Sequence, residues 1–107
     1  MTPLITDSVN FHAYHVFVVK LDLAILNVDR SQIFYALRAE NIGVNVHYLP
    51  VGWHPIYQRN GFRKGSCPNG EGAYEQILTL PLWPAMSSED VDDVLRALKK
   101  VIKAYRR

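Results

Sequence analysis

Two kinds of hydrophobic spacing take turns along this chain. From Phe11 to Leu21 the residues are apolar or β-branched on both alternating faces: Phe11, Ala13, His15, Phe17, Val19 and Leu21 on one, Tyr14, Val16 and Val18 within the other. Such a run predicts a central strand covered on both sides. Asp29, with Gln32 three residues on, then opens a helical pattern carried by Ile33, Phe34, Leu37 and Ile42. It predicts a capped helix over residues 30–40 that ends near Gly43. The stretch Gly43-Val44-Asn45-Val46-His47-Tyr48-Leu49-Pro50 predicts a second, buried strand, bounded by its glycine and proline. A third strand is predicted from Ile77, and Pro81 ends it or confines it to a sheet edge by removing a ladder donor. The last helix has the plainest pattern. Ser87 is its N-cap, Glu89 and Asp90 lie in its first turn, and Val91, Val94, Leu95, Leu98, Val101, Ile102 and Tyr105 form its apolar stripe.

Residues 1–10 read as a lead-in to one domain over 11–107. Residues 50–72 are irregular and broken by prolines and glycines, with a helical turn expected over 54–60 and a short helix over 71–76. Trp53, Tyr57 and Phe62 gain by burial, so this loop is expected to pack, and a loop this long more often carries function than not.

The element order predicts a two-layer α/β sandwich, a small and mainly antiparallel sheet with helices on one face. In the second strand Val44, Val46 and Tyr48 share one side, and Asn45, His47 and Leu49 the other. With the valines against the helices, Asn45 and His47 look out onto the uncovered face. That is where a ligand or a second domain can sit.

Composition narrows the function. The chain has 107 residues, 49% hydrophobic and 21% charged, the balance of a folded domain. A net charge of +2 argues against nucleic acid as the main partner, and the basic run from Lys99 to Arg107 complements a helix C-terminus. Cys67 stands alone, which excludes an internal disulfide. With no signal-peptide pattern and no apolar run of about 18 residues, a cytoplasmic protein without a membrane span is expected.

The chemistry-bearing residues make an incomplete inventory. His12 and His15 point to opposite faces of a strand, and His47 and His54 have no acidic or thiol ligand at a fitting spacing, so no metal site is expected. Asp90, Asp92 and Asp93 serve a helix start. No phosphate loop or nucleophile–base constellation is present. What remains are histidines and aromatics that bind and position.

Several blocks resemble one family. His12-Ala13-Tyr14-His15-Val16-Phe17-Val18-Val19 is similar to a strand entering its small domain. Leu37 to Val44 resembles its helix exit, and Val46-His47-Tyr48-Leu49-Pro50 with His54-Pro55-Ile56-Tyr57 its histidine-rich block. Leu80-Pro81-Leu82-Trp83-Pro84 with Ser88-Glu89-Asp90-Val91 is similar to its ending. Together they resemble the C-terminal small domain of the DegT/DnrJ/EryC1/StrS aminotransferases, pyridoxal-phosphate enzymes of fold type I that act on nucleotide-linked sugars. The resemblance implies a parent enzyme that moves an amino group from glutamate to a keto sugar in surface polysaccharide biosynthesis. It implies a substrate-side role for His47, with Tyr48, Trp53 and His54 as further substrate-binding candidates, and a domain-interface role for Tyr14 and His15. None of Lys20, Lys64, Lys99, Lys100 and Lys103 matches the family's Schiff-base lysine. The family's large domain would carry that lysine. The chain alone is therefore expected to be inactive and free of cofactor, a partner to the missing large domain and prone to associate with itself. The competing expectations are a free-standing ferredoxin-like module that binds a small molecule and a purely structural interaction domain.

Overall fold

Asp29 and Ser87 start the two long helices. In the computed structural model, which describes residues 1–107, the Asp29 carboxylate accepts the Gln32 N–H at 2.9 Å, and α1 runs Arg30–Ala39. Ser87 and Asp90 form a complete capping box: the Asp90 N–H donates to Ser87 Oγ at 3.1 Å and the Ser87 N–H to Asp90 Oδ2 at 2.8 Å. The longest helix, Ser88–Tyr105, follows. Between them lie two short helices, α2 (Pro55–Arg59) and α3 (Pro68–Tyr74), each opened by a proline that fits the first helical turn. The Ser88–Tyr105 helix is α4.

The end of α1 departs from expectation. Asn41, at φ 61°, takes the left-handed position assigned to Gly43. The Ile42 N–H reaches the Leu37 carbonyl and the Asn41 N–H the Arg38 carbonyl, both at 3.0 Å. These are the two bonds of a Schellman motif. Asparagine tolerates this conformation, so glycine is not needed.

The sheet has three antiparallel strands in the order β1 (Thr2–Pro3), β2 (Phe17–Lys20), β3 (Ile77–Leu80). β2 and β3 pair from Phe17↔Leu80 to Lys20↔Ile77. Three expectations need correction. The lead-in contributes an edge strand, with Thr2 opposite Lys20. The first predicted strand is shortened to four residues, and Phe11 to His15 are exposed and outside it. The predicted second strand is reduced to one bridge, Asn45↔Thr79, on the outer edge of β3. The third strand stops at Leu80, as Pro81 requires.

The core lies between the sheet and the helix pair. Ile33 and Leu37 of α1 and Val94, Leu98 and Val101 of α4 meet Val19, Leu21 and Leu78 of the sheet side, with Leu26 and Val44 closing the rim. Val91 and Leu95, placed in the α4 stripe by spacing, sit at its exposed margin. Both long helices thus cover one face, the two-layer arrangement expected. With only three strands the sheet falls short of the four-stranded ferredoxin-like arrangement. No helix is long and apolar enough to cross a membrane.

Candidate functional site

The site is built outward from β3. Leu78 enters the core, so by strand alternation Thr79 points to the opposite face. The Thr79 backbone faces the chain after α1: its N–H donates to the Asn45 carbonyl at 2.8 Å, and the Asn45 N–H returns a bond at 3.0 Å. Two residues on, His47 Nδ1 lies 3.0 Å from Thr79 Oγ1. Val46, between them, packs against the core. The half-buried His47 then lines a polar groove of about 230 Å³ with His15, Asn45, Thr79 and Leu82.

His47 and His15 therefore share one surface. Tyr48 does not follow the alternation that placed it with the valines. It is 70% exposed, edge-on to His47 with ring centroids 4.5 Å apart. Asn45 makes the last ladder pair of this segment, and the alternation carries through Val46 and His47 but not to Tyr48.

Tyr48 and Trp53 line a second hollow, about 360 Å³ and mainly apolar, enclosed by Tyr57, Phe62 and Tyr74. Its wall is a relay of ring and cation contacts. The Arg30 guanidinium stands 4.9 Å over Tyr74, Tyr74 meets Trp53 edge-on at 5.3 Å, and the Lys64 ammonium lies 4.4 Å over Trp53. Glu71 organises the turn beside it. Its carboxylate accepts the Gly65 N–H at 2.7 Å and the Cys67 N–H at 3.3 Å. The Gly65 bond foremost, with lesser help from Cys67, the Trp53 indole and the Lys64 charge, holds the Glu71 carboxyl below its ordinary range against partial desolvation. The indole N–H favours that charge without reaching hydrogen-bond geometry, and Nε1 is left buried without a partner.

The remaining candidates lie apart. His54 is exposed and caps α2 through its carbonyl, which accepts the Tyr57 and Gln58 N–H groups at 3.0 and 3.1 Å. Tyr14 packs against His12, ring centroids 4.3 Å apart and the rings tilted by 52°, in a third, shallow hollow beside Pro3 and Leu4. The six site residues read from sequence thus fall into separate places: His15 with His47, Tyr48 with Trp53, and His54 and Tyr14 each alone. Thr79, Glu71 and Tyr74 were missed. Thr79 alone carried a signal, a polar residue inside the apolar run Ile77-Leu78-Thr79-Leu80.

No three metal-binding side chains converge. A pyridoxal phosphate site needs a lysine for the Schiff base and a carboxylate for the ring nitrogen. No lysine lines the His47 groove; Lys64 is stacked on Trp53, Lys100 is paired with Glu40 at 2.8 Å, and Glu71 is committed to backbone N–H groups. The residues present do not assemble that site among themselves.

Residues 1–99 match the sequence profile of the DegT/DnrJ/EryC1/StrS aminotransferase family. The chain is 41% identical over 105 residues to the spore coat polysaccharide biosynthesis protein SpsC of Bacillus subtilis, covering 96% of this chain and 27% of SpsC. It is 36% identical over 107 residues to the uncharacterized protein MJ1066 of Methanocaldococcus jannaschii, of which it covers 28%. In structure it is similar to the PMP form of Spr1654 of Streptococcus pneumoniae, described as a sugar aminotransferase, with a TM-score of 0.85, 28% identity and coverage of 96% of this chain and 26% of that one. The aminotransferase TlmJ of Streptoalloteichus hindustanus matches 88% of the chain, and 24% of its own length is covered, with a TM-score of 0.72 and 26% identity. The chain thus spans about a quarter of the length of the proteins it matches. By this profile match, these identities and the shared fold, the chain belongs to the DegT/DnrJ/EryC1/StrS aminotransferase family.

Proposed function

We propose that this chain is the C-terminal small domain of a pyridoxal-phosphate-dependent sugar aminotransferase, and that its His47 groove forms part of the substrate side of the active site. The parent reaction passes the amino group of glutamate to a keto sugar carried on a nucleotide, for surface polysaccharide synthesis; glutamate leaves as its 2-oxo acid. The observation that carries this reading is the fit of nearly the whole chain to one part of a solved sugar aminotransferase, at a TM-score of 0.85. The name of the Bacillus subtilis relative supports the polysaccharide setting. When bound, the cofactor supplies the electron sink. This chain's part is to orient substrate through His47, with His15 beside it. The Schiff-base lysine belongs to the larger domain, so this chain alone does not turn over, and the active enzyme is a self-associating assembly of both domains.

The test joins this chain to the larger part of the Bacillus subtilis relative and follows 2-oxo acid and amino-sugar formation. The joined protein is expected to turn over, the chain alone to be inert, and His47→Ala to lower turnover by about 10-fold or more. Turnover by the isolated chain refutes the division of labour. A joined protein that works equally well with His47→Ala refutes the substrate-side role.

A further inference from the structure

We propose that Thr79 is a positioning residue for His47: it holds the imidazole through Nδ1 and leaves Nε2 as the ring nitrogen offered to the groove. The inference deepens the reading of His47 as substrate-facing and rests on it.

Thr79 is only 5% exposed and is the one polar residue buried with the core. Its backbone is held from both sides, by the register with Val18 of β2 and by the two-way exchange with Asn45. Its β-branched side chain has few rotamers on a strand, so the direction of Oγ1 follows from the backbone. His47 is the partner found for that hydroxyl, at 3.0 Å. A buried hydroxyl deprived of its hydrogen bond is costly, which makes this contact persistent.

The segment Asn45-Val46-His47 is therefore clamped at both ends to one residue. Asn45 is tied by backbone and His47 by side chain, while Val46 is seated in the core between them. The edge-on ring of Tyr48 limits tilting of the imidazole from one side. One engaged ring nitrogen fixes the state of the other. A hydroxyl that accepts from Nδ1–H leaves Nε2 an acceptor, and one that donates to Nδ1 makes Nε2–H a donor. Thr79 thus fixes where the ring points, and the role its hydroxyl takes at Nδ1, donor or acceptor, sets which kind of hydrogen bond Nε2 offers the groove.

The test reads the ring directly. With 15N-histidine in this chain, two-bond 1H–15N correlations report the tautomer of His47. The native protein and Thr79→Ser are expected to show one dominant tautomer, and Thr79→Val a mixture or a switch. Unchanged His47 ring shifts in Thr79→Val overturn the proposal. Should that variant fail to fold by circular dichroism, Thr79→Ala is read in the same way. In the joined enzyme, Thr79→Val is expected to lower kcat about 10-fold with KM changed by less than about twofold, and Thr79→Ser to restore it. If His47→Ala costs turnover while Thr79→Val is silent, the role of Thr79 falls and that of His47 stands. If His47→Ala is silent, the substrate reading falls, whatever the ring shifts show.

Discussion

Leu95 and Leu98 offer a controlled test of which face of α4 holds the domain together. They are the same residue on the same helix, three positions apart, yet Leu98 is 3% exposed and Leu95 43%. Replacing either by alanine changes helix propensity equally, so that contribution cancels in the comparison. At Leu98 three carbons leave the core, a transfer loss of about 2.4 kcal/mol at ~0.8 kcal/mol per methylene. The cavity left between α1, α4 and the sheet raises this to about 3–5 kcal/mol, because packed surroundings collapse only in part. At Leu95 nearly half of the side chain is already in water, and the loss is about 1 kcal/mol. Urea unfolding followed by far-ultraviolet circular dichroism, with the slope held common, reads both values. The melting temperatures should differ by more than about 8 °C in a domain this size. A difference below about 0.5 kcal/mol would refute the reasoning, since burial would then not distinguish the two positions.

Other predictions follow from the caps and the loop. Ser87→Ala removes the acceptor of the Asp90 N–H and should cost about 1 kcal/mol in the same unfolding assay. Hydrogen bonds from the Ser87 hydroxyl and N–H hold Asp90 below its usual value of 3.8, as the Gly65 N–H above all holds Glu71 below 4.5. A folded value below the unfolded one adds stability that is full above the unfolded value and lost as pH falls through the folded one. An acid titration of the melting temperature should therefore decline below about pH 4.5, and less steeply in Glu71→Gln. Gly52→Ala would set its new methyl 2.6 Å from a ring carbon of Phe62, so the ring must shift; faster proteolysis of residues 50–67 in the native protein is the expected sign.

Elements that rest on local chemistry were legible in the sequence. The N-caps at Asp29 and Ser87 set the starts of α1 and α4, and Pro81 set the end of β3. The helical turn expected over 54–60 matches α2, with His54 and Asn60 as its caps, whereas Pro68 starts α3 three residues ahead of Glu71. The misses share one physical cause. Strand propensity records fitness for a pleated, half-buried surface, and whether such a surface awaits a segment is decided elsewhere in the chain. Val44 and Val46 do pack inward, but only Asn45 finds a ladder partner. Thr2 and Pro3 carry no strand signal and pair because β2 offers an edge. The site was legible in the same measure. The outward turn of His47 follows from the inward turn of the valines. Tyr48 lies beyond the last ladder bond, and no rule of alternation reaches it.

The sheet also offers little edge for growth. One edge is a two-residue strand ending in Pro3, which has no donor to offer. At the other edge the outward groups of Thr79 are taken by Asn45, and the chain runs on into Pro81. Short edges, prolines and occupied ladder groups are how folded proteins avoid templating cross-β aggregates. With Ile5 and Phe11 almost fully in water, the chain would otherwise be a candidate for such templating. Few free ladder groups are left for a second copy to pair with, so contact between copies would fall mainly to side chains.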